Sequence, residues 1–376
     1  MSADIRRLVD TLKRRRAEVA TLGVVAGFDG FVDEMISVVG ERRGVADFTA
    51  LPTMAELGRI VSAAAGHNSL REIVVRSQDP GGCAVNLGDG LTALGVPLDF
   101  YGTIGAPRHP AFDAFAATCR SATAWSTAYG RTLAFEFTDG KFMFSAVAQL
   151  AELTPELVRA ELAKGAFARS CAGAKLIAFT NWTLYPHMTA VWRAVRDDCL
   201  SRLTHRPWLF LDLVDPSSRA EGDVRAMLET IGSFAASCRV VLGINLNECA
   251  VLSRLMGLPA PGKDGPALAA RAADFRARLQ IAQVVIHSAR INAVADERGA
   301  MSSPAGPFCA APKKTTGAGD RFNAGYCLGL MLDLPHDQAL ALGSATSGFF
   351  IRNARSARFD EVIAFLEAWS TGAAAA

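Results

Sequence analysis

The sequence has almost no net charge: 39 lysines and arginines stand against 37 aspartates and glutamates. Without a basic excess there is no electrostatic footprint for nucleic acid, and no such partner is expected. No apolar run approaches the ~18 residues of a membrane span. No apolar signal segment follows Lys13-Arg14-Arg15-Arg16, so neither membrane partner nor export is expected and the location reads as cytoplasmic. None of the eight cysteines forms Cys-x-x-Cys, and the six histidines are equally dispersed. That pattern excludes a disulfide framework, makes a structural zinc site improbable and reads as reduced, buried thiols. Nor does Gly-x-Gly-x-x-Gly follow the first strand-like run, which weakens a dinucleotide reading. Disorder is excluded by a hydrophobic share of 50%.

What is present is an alternation. Short apolar runs at 22–26, 174–179, 208–213, 240–244 and 283–286 suit buried strands. Helix-like stretches at 155–168, 186–203, 221–237, 247–256 and 266–279 separate them, and an amphipathic helix over about 4–20 carries Ile5, Leu8, Val9 and Leu12 on one face. Buried runs alternating with helices predict a largely parallel sheet covered on both faces, with ligands beyond the carboxyl ends of its strands. Residues 33–50 and 121–148 break the rhythm with strand-like segments, including a hairpin signal at Asp139-Gly140. They read as a small sheet inserted in the core. A helix over 53–65 lies between them with no evident place.

Three glycine-containing segments carry candidate chemistry. Lys313-Lys-Thr-Thr-Gly-Ala-Gly-Asp320 runs into a helix, so backbone amides of Gly317, Ala318 and Gly319 converge at a helix start that favours negative charge. Asp320 beside such a cradle can take a proton from an alcohol; equally, it can simply cap the helix. Asp79-Pro-Gly-Gly-Cys-Ala-Val-Asn86 permits close approach at Gly81 and Gly82, with Asn86 as donor and acceptor, or is a plain turn into a helix. Gly27-Phe-Asp29-Gly-Phe-Val-Asp33 places two carboxylates just past the first strand, where they suit polyol hydroxyls. Gly257 to Lys263 has phosphate-loop spacing, but it lacks the following Ser/Thr, contains two prolines and follows no strand, so it reads as a plain loop.

Taken in order, Asp33, Gly81-Gly82…Asn86, Asn245-x-x-Glu248 and Thr316-Gly-Ala-Gly-Asp320 resemble the ribokinase-like (PfkB) family of carbohydrate and nucleoside kinases, over roughly residues 22–360. The resemblance implies a three-layer α/β/α core of 1–32, 51–120 and 149–376 with a mostly parallel sheet, and a β-sheet lid of 33–50 and 121–148. It implies ATP- and Mg²⁺-dependent transfer to a hydroxyl of a small sugar, or of a nucleoside on the same scaffold. Asp320 is then the base, and Gly317, Ala318 and Gly319 the anion hole. Asp33 (or Asp29, since this motif is about one residue longer than usual), Gly81, Gly82 and Asn86 hold the acceptor, with Asn181 a further cleft candidate. Asn245, Glu248, Thr316 and Asn353 fall on the nucleotide side, Glu248 organising Mg²⁺ through water. The lid also implies a homodimer contact.

The sequence departs from the family pattern at Lys314, where an Asp is usual, and at His287-Ser-Ala-Arg290-Ile-Asn292, which replaces a Thr-x-Gly-x-x-Gly stretch. These departures motivate a competing reading as a sugar-binding regulator with weak catalysis. A sugar phosphate acceptor needs convergent cations, for which Arg42, Arg43 and Arg131 are the candidates.

Overall fold

The computed structural model describes residues 2–373. Its main sheet has nine strands in the order 299–304, 291–296, 283–287, 239–245, 208–212, 176–179, 24–27, 98–102 and 121–124. From Gln283–His287 to Ser121–Ala124 all neighbours are parallel, while the two strands at the other edge form an antiparallel meander. The strand Val24–Gly27 pairs with Leu98–Gly102 on one side and Leu176–Phe179 on the other, and every residue of it is buried. Loops after such central strands diverge to opposite faces and leave a crevice at their carboxyl ends.

Two cores fill the spaces above and below this sheet. One joins Val25, Ile177, Leu209 and Leu242 to the helices Met188–Asp198, Glu221–Ser233 and Gly265–Leu279. The other joins Val24, Leu98, Phe210 and Val285 to Cys83–Ala93, Ala318–Met331, His336–Asn353 and Phe359–Thr371. The three-layer expectation is met. The first helix, Ser2–Val19, buries Ile5, Leu8, Val9 and Leu12 in the second core, and its basic face reaches the last helix through Lys13–Glu367 at 2.6 Å. The stretch expected as one helix over 155–168 divides at Gly165 into Pro155–Ala163 and Ala166–Ala172.

The second sheet is organised by one long strand, Phe31–Arg42. Ile73–Gly81 lies antiparallel along one side of it and Gly130–Phe137 parallel along the other, with Gly140–Ala146 outermost. Two segments differ from expectation. Residues 73–81, placed in the core by the division that put 51–120 there, form a lid strand in which Asp79 pairs with Asp33. Residues 121–124, assigned to the lid, instead close the main sheet by pairing with Leu98–Gly102. The β-branched residues Val74 and Val75 carried the first signal, but Pro80 within the run obscured it. The helix Met54–Ala63 also finds its place: the Met54 amide donates to Asp139 Oδ1 at 2.8 Å, so the helix starts against the hairpin turn of the lid.

Candidate active site

The helix Ala318–Met331 starts at the carboxyl edge of the sheet, with Gly317 as its N-cap at φ 85°. That left-handed backbone is open to glycine, and a Cβ there would meet the Arg321 guanidinium at 2.7 Å. Amides of the first turn have no acceptor within their own helix. The Ala318 amide is an exception, donating to the Thr315 carbonyl at 3.0 Å. Of the amides at this helix start, those of Gly319 and Asp320 have no backbone acceptor among the described residues, whereas that of Ala318 is already engaged.

Asp320 is buried in this first turn, and Asn86 Nδ2 donates to its Oδ2 at 2.9 Å. Asn86 is held there by a close helix crossing: at Gly90, one turn later on Cys83–Ala93, an added Cβ would lie only 2.6 Å from that of Ala324. Burial first, then the nearby Asp212 carboxylate, push the Asp320 pKa up to about 7. Asp212 is likewise buried and pushed up to about 6 by desolvation, although the Val214 amide and Asn323 Nδ2 donate to it. Arg321 turns away from the carboxylate to pair with Asp89 at 2.7 Å.

The acceptor candidates separate into two groups. Asp29 is fully buried, and its oxygens accept from the amides of Cys83 (2.6 Å) and Ala84 (2.8 Å), Thr180 Oγ1 (2.7 Å) and Asn181 Nδ2 (3.1 Å). A carboxylate has about four acceptor positions, so Asp29 is saturated. It ties the glycine pair and the helix that follows to the ends of two central strands. Asn181 is also buried, its Oδ1 accepting from the Leu184 amide. Asp29 thus has no acceptor position left over, and both polar atoms of the Asn181 carboxamide are engaged within the protein. Asp33 remains: it is only half-buried, lies directly against Gly81, and pairs with Asp79 across the lid strands. Burial raises its pKa, while Thr132 and the charges of Lys314 and Lys141 draw it down.

On the opposite side of residues 312–316 is a cavity of about 660 Å³ with no charged side chain in its lining. Asn245, Asn247, His287, Phe308, Gly319 and Ile351 are among its walls. Asn245 and Glu248 form a reciprocal cap of the helix Leu246–Leu255, with Asn245 Oδ1 accepting from the Glu248 amide (3.0 Å) and Glu248 Oε2 from the Asn245 amide (2.9 Å). Asn245 lines the cavity; Glu248 lies behind it, and burial plus the Asp212 charge hold its pKa well above the usual carboxylate range. His287 is neutral, its pKa lowered to about 4 by burial. Asn353, expected on the nucleotide side, is exposed outside this lining and donates to the Phe349 carbonyl, because the last turn of its helix presents Ile351 instead.

Thr316 lines a different cavity, of about 600 Å³, between the lid and residues 312–316. Arg42, Arg43 and Arg131 do not converge there: they pair with Glu72, Asp47 and Glu34 respectively. The cations that do line it are Arg76, Lys141, Lys313 and Lys314. Arg76 and Lys141 were invisible as site residues because their strands had to be paired across the lid first. All eight cysteines are free, as expected of packed thiols.

This architecture, a two-faced parallel sheet with an inserted lid over its carboxyl edge, is that of the ribokinase-like carbohydrate kinases. A ribokinase from Thermotoga maritima superposes with a TM-score of 0.62 at 15% identity, covering 92% of this chain and 99% of that one. An Arabidopsis thaliana ribokinase solved with ribose and ATP gives 0.60 at 16% identity, covering 92% and 99%. Escherichia coli phosphofructokinase-2 with fructose-6-phosphate gives 0.60 at 12%, covering 93% and 99%. In sequence, the ketohexokinase of Haloferax volcanii is 28% identical over 347 residues, which is 91% of this chain and 90% of that protein. The prokaryotic ketohexokinase family matches residues 3–369, and the chain belongs to that family. It is a carbohydrate kinase, transferring a phosphoryl group to a sugar.

Proposed function

We propose that the protein transfers the γ-phosphoryl group of ATP, with Mg²⁺, to a hydroxyl of a ketohexose in the cytoplasm. The observation that carries this reading is Asp320: a buried carboxylate at a helix start, hydrogen-bonded by Asn86, with its pKa raised to about 7. An aspartate near its ordinary pKa is a weak base for an alcohol, whereas one near neutrality matches the working pH. Asp320 accepts the hydroxyl proton as the oxygen bonds to phosphorus, and the amides of Gly319 and Asp320 steady the charge on the transferring group.

The cavity beside Gly319 suits the donor, with Asn245 and the apolar Phe308 and Ile351 against its base and sugar. Asp33, Gly81 and Asn86 face the acceptor from the lid side. Among the described residues no three acidic, histidine or cysteine side chains gather closely enough to ligate a metal directly, but Asp212 and Glu248 are buried oxygen donors near enough for the Asp212 charge to raise the Glu248 pKa. Mg²⁺ prefers few carboxylates and keeps several waters, so Glu248 and Asp212 would hold it through water. When bound it neutralises charge on the donor phosphates. Closure of the lid excludes water, which otherwise competes for the phosphoryl group.

The lid also supports a homodimer. Pairing places Ile73, Val75, Phe142 and Phe144 on one face, and these are 44%, 46%, 48% and 54% exposed. A contiguous apolar face of this kind favours burial against a second copy.

The test is ADP release from Mg²⁺-ATP across ketohexoses, aldoses and nucleosides, beside Asp320→Asn. Ketohexose-dependent turnover that collapses in the variant is expected; turnover with nucleosides alone, or none with any acceptor despite sugar binding, overturns the reading.

A further inference from the structure

The charges around the two cavities are distributed unequally. The donor-side lining holds no Lys, Arg, Asp or Glu, so on that side a phosphate chain is gripped by amides, hydroxyls and the helix start. The lid-side cavity is lined instead by Arg76, Lys141, Lys313 and Lys314, against Asp79 and Glu136.

Their partners sharpen the asymmetry. Lys141 is matched by Glu136 at 3.1 Å. Arg76 donates only to the neutral Ser37 hydroxyl at 3.3 Å, and Arg76, Lys313 and Lys314 make no ion pair among the described residues. The nearest aromatic ring to the Lys314 ammonium is Phe350, 5.9 Å to its centre. Uncharged hydroxyls are read by carboxylates and amides, as Asp33 and Asn86 already offer. Three cations without an ion pair around one cleft repel each other, and beyond the pull of Asp33 and Asp79 a bound anion is what would stabilise them. Guanidinium and ammonium donors together match the oxygens of a phosphate monoester. A cavity of about 600 Å³ has room for a sugar carrying one.

We propose that Arg76, Lys313 and Lys314 form an anion subsite on the lid side of the acceptor pocket, which takes a phosphate monoester. The proposal rests on the reading that the acceptor lies beneath the lid. The ester has two sources: a phosphate already carried by the acceptor, or a separate phosphorylated metabolite that occupies the pocket in place of the sugar.

Titration calorimetry of the full-length protein without nucleotide tests this apart from the kinase reading, with fructose, fructose 6-phosphate and inorganic phosphate as probes. Fructose 6-phosphate is expected to bind about tenfold more tightly than fructose, as one charge-assisted contact provides. Arg76→Gln and Lys314→Gln should each remove about that factor while fructose affinity moves less than about twofold. Turnover then separates the sources. If fructose 6-phosphate is phosphorylated, the ester belongs to the acceptor. If it is not, but competes with fructose, the ester is a separate ligand of the pocket. Equal binding of fructose and fructose 6-phosphate overturns the proposal. So does a fall in turnover in both variants with the preference for the phosphorylated sugar unchanged, which would place these cations on the transferring group.

Discussion

Asn86 and Asp320 lie 234 positions apart in the chain, yet the amide of one donates to the carboxylate of the other at 2.9 Å. This contact brings the two glycine-bearing loops together, and it acts on the carboxylate proposed as the base. A hydrogen bond donated to a carboxylate favours its ionised form, so Asn86 opposes the burial that raises Asp320.

Asp320→Asn should lower kcat by about 10²–10⁴-fold, the usual range for loss of a general base, with little change in acceptor KM. Steady-state ADP release measures both. A loss under about tenfold would remove Asp320 from the role of base.

The pH dependence follows from the direction of the same shift. Asp320 works as a base only when ionised, so kcat/KM should rise with pH through about 7 and level above it. Stability runs the other way. The folded pKa lies above the unfolded one, so the native state binds more protons between about 4 and 7, and stability falls as pH rises through that window. Asp320→Asn should therefore be more stable than the native protein at pH 8, by a few kcal/mol at most, and no more stable at pH 4. Urea unfolding at the two pH values checks this.

Asn86→Ala should move the acidic limb of the rate profile upward by about one pH unit or less, since it removes a donor to the ionised carboxylate. Activity at pH 9 should recover more of the native value than activity at pH 6. A uniform loss at every pH would assign Asn86 to acceptor binding alone.

Asp29→Ala should behave as a structural lesion. It strands two amides, a hydroxyl and a carboxamide in the interior, at a cost of about 3 kcal/mol or more. Chemical denaturation should show that loss, and the fraction that remains folded should keep the acceptor KM. A raised KM at unchanged stability would return Asp29 to the acceptor.

Phe142→Ser with Phe144→Ser removes two rings exposed on the lid face. The double variant should elute as a monomer where the native protein elutes as a dimer, measured by light scattering on a sizing column. A native monomer would refute the dimer.

The sequence by itself determined the fold class, because buried apolar runs and amphipathic helices announce themselves within short windows and their alternation admits few architectures. It also marked Gly317 to Asp320 as the candidate anion hole and base, since these residues are contiguous and their chemistry is local. Tertiary structure decided the rest. Asp29 and Asp33 are four residues apart with the same side chain, one in the turn after the first strand and one in the lid strand Phe31–Arg42, and only the positions of Cys83, Ala84, Thr180 and Asn181 show that Asp29 is saturated while Asp33 stays available. The lid strand at 73–81 carries Pro80 and a turn signal, and its pairing with Phe31–Arg42 follows from long-range register. The pKa of Asp320 and the gathering of Arg76, Lys141, Lys313 and Lys314 are likewise sums over residues distant in sequence. Burial and charge act through space, and a one-dimensional reading sees neither until the chain has folded.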